Sequence, residues 1–111
     1  GIMMTGNELA TAVQYGVPIK IFVANNNAFG TIHMHQARSF PGRVTSTALQ
    51  NPDFAAWGES FGAKGYRIQT ETEAEQTVAE AMAHDGPAVI ETHISLNHIS
   101  PAARIDEIES R

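Results

Sequence analysis

The chain has 111 residues, 42% of them hydrophobic, no cysteine, and a formal charge of −5 from 7 basic and 12 acidic side chains. That length suits one domain with one modest core, and the scattered basic residues argue against nucleic acid or anionic membrane as a partner. Without thiols, disulfides and thiolate metal sites are excluded, and no apolar run reaches the roughly 18 residues of a spanning helix.

In chain order, Gly1-Ile2-Met3-Met4-Thr5 lacks the basic and apolar regions of a signal peptide. With the absence of cysteine this fits a cytoplasmic protein. Met3 and Met4 stand behind Gly1, so the start reads either as a tag remnant or as the cut end of a longer protein. Thr5-Gly6-Asn7-Glu8 has the spacing of a capping box and predicts a helix over residues 6–15 carrying Leu9, Ala10, Ala12 and Val13. Gly16 supplies a left-handed stop and Pro18 forbids continuation. Ile19 to Ala24 is a β-rich run predicted as a strand buried on both faces, with Asn25, Asn26 and Asn27 at its C-terminal end.

From Gly30 to Gln50 the signals weaken to a helical turn near Thr31 to Gln36 and a Pro41-Gly42 turn. Asn51-Pro52-Asp53 then starts a helix, Asn51 as cap and Pro52 at the first helical position, with Phe54, Trp57 and Phe61 as core and Gly62 at its end. Tyr66 to Ile68 is a short strand. Thr70 or Thr72 opens a helix with Ala74, Val78, Ala81 and Met82 on one face, running to His84. Gly86-Pro87 breaks it, Ala88 to Ile94 is the last strand, and 95–111 is a polar tail with one helical turn near Arg104 to Glu109.

Strands alternating with helices imply an α/β fold: three layers, a mostly parallel sheet with helices on both faces. Three strands are few for such a sheet, so the domain is expected to be incomplete, spanning residues 1–94, with 95–111 as a C-terminal tail. Ligands of open parallel sheets bind outside the carboxyl ends of the strands, where the three asparagines lie. Asparagine carbonyls suit Mg²⁺, and a helix start near Thr5 and Gly6 suits an anion. On physical grounds alone an ordinary turn is the leading reading of the loop, because asparagine tolerates left-handed conformations.

The stretch "MMTGNELATAVQYGVPIKIFVANNNAFGTIHMHQ" resembles the C-terminal, diphosphate-binding domain of thiamine-diphosphate-dependent enzymes of the acetolactate synthase and 2-oxo-acid decarboxylase group. The likeness continues through Phe40-Pro41-Gly42-Arg43-Val44, "NPDFAAWGESFGAKG" and "GPAVIETHIS". It implies thiamine diphosphate and Mg²⁺ as cofactors and a 2-oxo acid as substrate of the parent enzyme. It implies that Asn26 ligates Mg²⁺ through its side chain and Ala28 through its backbone carbonyl. Phe29, Gly30 and Thr31 would border the diphosphate, with Gly1 and Ile2 near it from the other side, and Ile32 and Met34 would face the thiazolium and substrate.

The family signature begins with Gly-Asp-Gly, which alignment places just before Gly1. Its Mg²⁺-binding aspartate is not among the 111 residues, nor is the activating glutamate that the family carries on a separate domain, normally of a partner subunit. Glu8 is committed to the first helix and does not replace it. Asn27 and Ala28 stand where many relatives carry an acid or a glycine. No catalytic residue is therefore assigned, and the expected function is a fragment of such an enzyme, inactive alone. The alternative is a non-enzymatic folded module that self-associates as a homodimer or higher homo-oligomer through an open strand edge.

Other features read as structural. His33 and His35 share a face only in a strand and have no third ligand nearby. His84 sits in a helix's last turn, His93 on a strand and His98 in the tail. Glu71, Glu73, Glu75 and Glu80 form a solvated helix face, Arg38 and Arg43 flank a surface turn, and no Gly-x-Ser-x-Gly elbow exists.

Overall fold

A computed structural model describes residues 1–100 and 102–109. The chain forms two compact units: residues 1–24 with 52–93, and residues 25–51 with 94–111.

The first unit holds α1 (Ile2–Thr5), α2 (Leu9–Tyr15), β1 (Lys20–Asn25, whose last residue begins the second unit), α4 (Phe54–Ser60), β2 (Lys64–Ile68), α5 (Glu71–Ala83) and β3 (Ala88–His93). Its mostly parallel sheet has the order β1-β3-β2, with β2 and β3 parallel from Lys64 opposite Ala88 to Ile68 opposite Thr92. Alternation along β3 sends successive side chains to opposite faces. Val89 joins Leu9, Phe54 and Ala63 under α2 and α4, while Ala88 and Ile90 join Ile68 and Ala81 under α5. The α/β class with helices on both faces is as the sequence predicts.

Several local expectations change. The helix predicted over 6–15 starts late: α2 begins at Leu9 without a side-chain cap, and residues 2–5 before it form the separate α1. Its stop is as expected, with Gly16 at φ 64°. The capping box forms instead at Thr70, where Glu73 Oε1 accepts from the Thr70 N–H at 3.2 Å. The α4 cap is Asp53, which accepts from the Ala56 N–H at 3.1 Å, and not Asn51.

β1 is not buried on both faces: Ile21 and Val23 pack on the core while Phe22 is 50% exposed. The reason is that α5 packs chiefly on β2 and β3. Met82, expected on the packed face of α5, is 59% exposed for the same narrowness; Ala74, Val78 and Ala81 suffice to fill it. Glu91 is a buried charge on β3, 2% exposed. Its Oε2 accepts from the Phe54 N–H at 2.9 Å and its Oε1 meets His93 Nε2 at 2.8 Å. His84 ends α5 as its cap, and its carbonyl with that of Gly86 receives Lys20 Nζ.

The second unit holds α3 (Gly30–Ser39), the antiparallel pair β4 (His98–Ser100) and β5 (Ala103–Arg104), and α6 (Ile105–Glu109). A small core of Ala37, Ile105 and Ile108 binds α3 to α6, with Val44, Leu96 and Ala103 around it. Where the sequence suggests one helical turn near Thr31 to Gln36, ten residues are helical. The helical turn expected near Arg104 is α6, and its Ile105 and Ile108 are buried, so this part of the tail carries core residues and is not purely polar.

Candidate functional site

The asparagine loop begins where β1 ends. Asn25 is buried, and its Oδ1 accepts from the Asn27 N–H at 3.0 Å and from Asn51 Nδ2 at 2.8 Å. Asn26 Oδ1 accepts from the Ala28 N–H at 3.1 Å. A carbonyl oxygen has two lone pairs, so this Asx turn leaves one available to a ligand. Asn27 takes φ 56°, a left-handed conformation asparagine accommodates better than most residues. The loop is then fastened from residues 47–49. Phe29 N–H donates to Thr47 O at 2.8 Å and Leu49 N–H to Asn27 O at 2.7 Å, around a bridge between Ala28 and Ala48. These two bonds use the carbonyls of Asn27 and Thr47 and not that of Ala28.

α3 follows directly and has no side-chain cap. The first N–H groups of a helix have no acceptor within it and carry partial positive charge. Beside this start lies a pocket of about 280 Å³ lined by Asn26, Gly30, Thr31, Met34, Ile94, Leu96 and His98. A Cβ at Gly30 would lie 2.7 Å from Asn26 Nδ2, so a larger residue there would displace that amide from its place in the pocket. A second pocket, of about 180 Å³, takes Asn27, Ala28 and His33 together with residues 44–48 and Leu96.

Of the residues singled out in the sequence, Asn26, Gly30, Thr31 and Met34 are thus brought to one pocket, and Ala28 lines the neighbouring one. Phe29 and Ile32 are 50% and 53% exposed and line neither. Gly1 and Ile2 belong to the first unit, where Ile2 packs against the Leu9 core. The helix start expected near Thr5 and Gly6 lies elsewhere, since α2 begins at Leu9. Sequence reasoning places Asn25 in the loop but misses its bond to Asn51, and it misses Thr47 behind the loop and Leu96 and His98 in the pocket. The Asn51-Pro52 step marks Asn51 in the sequence, but as a helix cap.

The pocket can be tested against a magnesium diphosphate by its donors. Backbone N–H groups at the uncapped α3 start, the Thr31 hydroxyl and the room left by Gly30 fit an anion. Asn26 and backbone carbonyls are hard oxygen donors fit for Mg²⁺. Among the described residues no carboxylate lines the pocket. Among the described residues no group of three or more His, Cys, Asp or Glu is placed to hold a metal. His33 and His35 lie on a helix, two residues apart and so on different faces, and His33 Nδ1 is 3.2 Å from Thr47 Oγ1. The residues present therefore fit an anionic group, and the donors they offer a metal would be neutral oxygens.

Residues 1–92 match the family model described as thiamine pyrophosphate enzyme, C-terminal TPP binding domain. The chain is similar to the mitochondrial acetolactate synthase catalytic subunit of Saccharomyces cerevisiae, 34% identical over 82% of this chain and 13% of that protein. It is also similar to the acetolactate synthase large subunit of Haemophilus influenzae, 40% identical over 72% of this chain and 14% of that one. The solved structure of benzoylformate decarboxylase from Polynucleobacter necessarius shares its fold, with a TM-score of 0.75 at 23% identity over 86% of this chain and 18% of that one. The chain so spans a small part of the length of each protein it matches. A loop of amides opening an uncapped helix, on a fold shared with that decarboxylase and under a model covering 92 residues, settles the family: the chain belongs to the C-terminal thiamine pyrophosphate-binding domains of thiamine pyrophosphate enzymes.

Proposed function

We propose that this chain carries the diphosphate-binding part of a thiamine diphosphate site in an enzyme of the acetolactate synthase and 2-oxo-acid decarboxylase type. The observation that supports this most is the meeting of Asn26, Gly30 and Thr31 in one pocket at the uncapped start of α3. In this reading Asn26 ligates Mg²⁺ through the open lone pair of Oδ1, and Ala28 through the carbonyl its bridge leaves unused. Gly30 and Thr31 hold the diphosphate, with Phe29 beside them at the start of α3. Thiamine diphosphate, when bound, supplies an electron sink beside the carbonyl of a 2-oxo acid. None of the 111 residues is assigned a proton transfer. Magnesium usually draws on one or two carboxylates, and among the described residues none lines this pocket, so the chain alone is expected not to turn over 2-oxo acids.

A ligand that binds only the folded state raises its melting temperature by mass action. Melting the protein with millimolar thiamine diphosphate and Mg²⁺ is expected to show such a rise, and Asn26→Ala to abolish it. No rise in the unmutated chain would reject the reading.

One observation favours a second reading, a module without activity that forms homodimers or higher homo-oligomers. β1 lies at the end of the strand order and presents a half-exposed Phe22, and an open strand edge is a template for pairing. Light scattering at high concentration is expected to give at least a dimer; a monomer would count against it. The location that accompanies either reading is the cytoplasm, which imaging of a fluorescent fusion checks.

A further inference from the structure

Resting on the reading of the Asn26 pocket above, we propose that Asn51 is a positioning residue of that site: its amide fixes Asn25, and Asn25 fixes the backbone from Asn26 to Ala28. Asn25 is 5% exposed, and its Oδ1 accepts two hydrogen bonds, from the Asn27 N–H and from Asn51 Nδ2. A backbone N–H can only donate, so the atom it meets on Asn25 is the oxygen. The Asn51 group meeting the same oxygen must then be its NH₂. The polarity of the amide pair is fixed by a main-chain donor.

Neither end of Asn25 is free to swing, because its carbonyl accepts from the Ile94 N–H at 3.0 Å. The next residues inherit that constraint. Asn27 is held in the left-handed region between the Asn25 side chain and the Leu49 N–H. Asn26 stands between these two anchors, its Oδ1 turned to the Ala28 N–H and its side chain lining the pocket. Asn51 is 26 residues further on and lines neither pocket, so any effect it has on a ligand passes through Asn25. It is also not engaged as the cap of α4, a role Asp53 fills. An outer residue that orients a ligating one characteristically changes metal affinity about 10–100-fold when lost.

Two substitutions of nearly unchanged shape separate positioning from packing. Asn51→Asp replaces the NH₂ donor by an acceptor facing Asn25 Oδ1, whereas Asn25→Asp keeps an acceptor for both donors. The first readout needs no ligand: hydrogen exchange at the Asn27 amide should accelerate in Asn51→Asp and stay slow in Asn25→Asp. The second is calorimetric titration of the full chain with thiamine diphosphate and Mg²⁺, where Asn51→Asp should bind about 10–100-fold more weakly. Unchanged Asn27 exchange in Asn51→Asp overturns the proposal, as does equal affinity in a chain whose unmutated form binds. Failure of the unmutated chain to bind overturns the pocket reading and the positioning role with it, an outcome distinct from tight binding by both proteins. If Asn51→Asp does not fold, Asn51→Ser removes the same bond without adding charge and is judged by the same two readouts.

Discussion

The two units are held by different forces. In the first, large apolar side chains on both faces of a sheet do the work: Leu9, Val89 and Ile90 are almost wholly shielded from water. In the second the core is small, and much of the order comes from amides and hydroxyls on backbone groups. Asn25, Asn26, Gln36 and Asn97 each bond at least one main-chain N–H. Burial scales with area and is forgiving of detail. A hydrogen bond is directional and worth little net until one partner is removed. The first unit is therefore suited to carrying stability and the second to fixing where a few donors point.

Three changes would break or sharpen that contrast. The largest effect is expected from Leu9→Ala, a truncation in the first core that should lower unfolding free energy by about 2–5 kcal/mol in urea denaturation. An effect as large from Asn26→Ala would erase the contrast. Next is Glu91→Ala, which removes the acceptor of the Phe54 N–H and the partner of His93. Leaving a buried donor unsatisfied costs about 1–3 kcal/mol, so thermal melting should place this variant second.

The smallest is Asp53→Asn. The Arg67 guanidinium, bonded to the Asp53 carboxylate, together with the Ala56 N–H, holds that carboxyl below its ordinary value. A depressed folded-state pKa contributes stability that is present above the unfolded value of 3.8 and is lost as pH falls through the folded one. Asparagine remains a good cap, so this variant should lose only the ion pair. Its acid unfolding should be slightly less steep below pH 3.8, and the pair's exposure keeps the difference small.

How much of this was legible depended on which force was acting. Apolar periodicity located α4, α5, β2 and β3, and the long stretch through Asn26 to Gln36 pointed to the family. The same Thr-x-x-Glu spacing occurs at Thr5 and Thr70, yet only Thr70 forms the box. Thr70 leaves a strand with extended dihedrals, φ −134° and ψ 155°, whereas Thr5 is already helical. A capping box needs a non-helical first residue, and spacing alone does not report it. α3 was read short because its residues are mostly polar and only Ala37 is buried. Asn51 was read as a cap because its true partner, Asn25, is 26 residues away, and local grammar cannot see across that distance.

The amides of Asn25 and Asn51 have a consequence for the conditions under which the loop keeps its shape. Neither group titrates, and neither carries a net charge for salt to screen. The ion pairs of Asp53 with Arg67 and of Arg104 with Asp106 are exposed and respond to both acid and salt. The amide pair behind Asn26 is thus insensitive to pH and ionic strength in its own right, so changes of buffer should act first on a bound anion and on the exposed ion pairs.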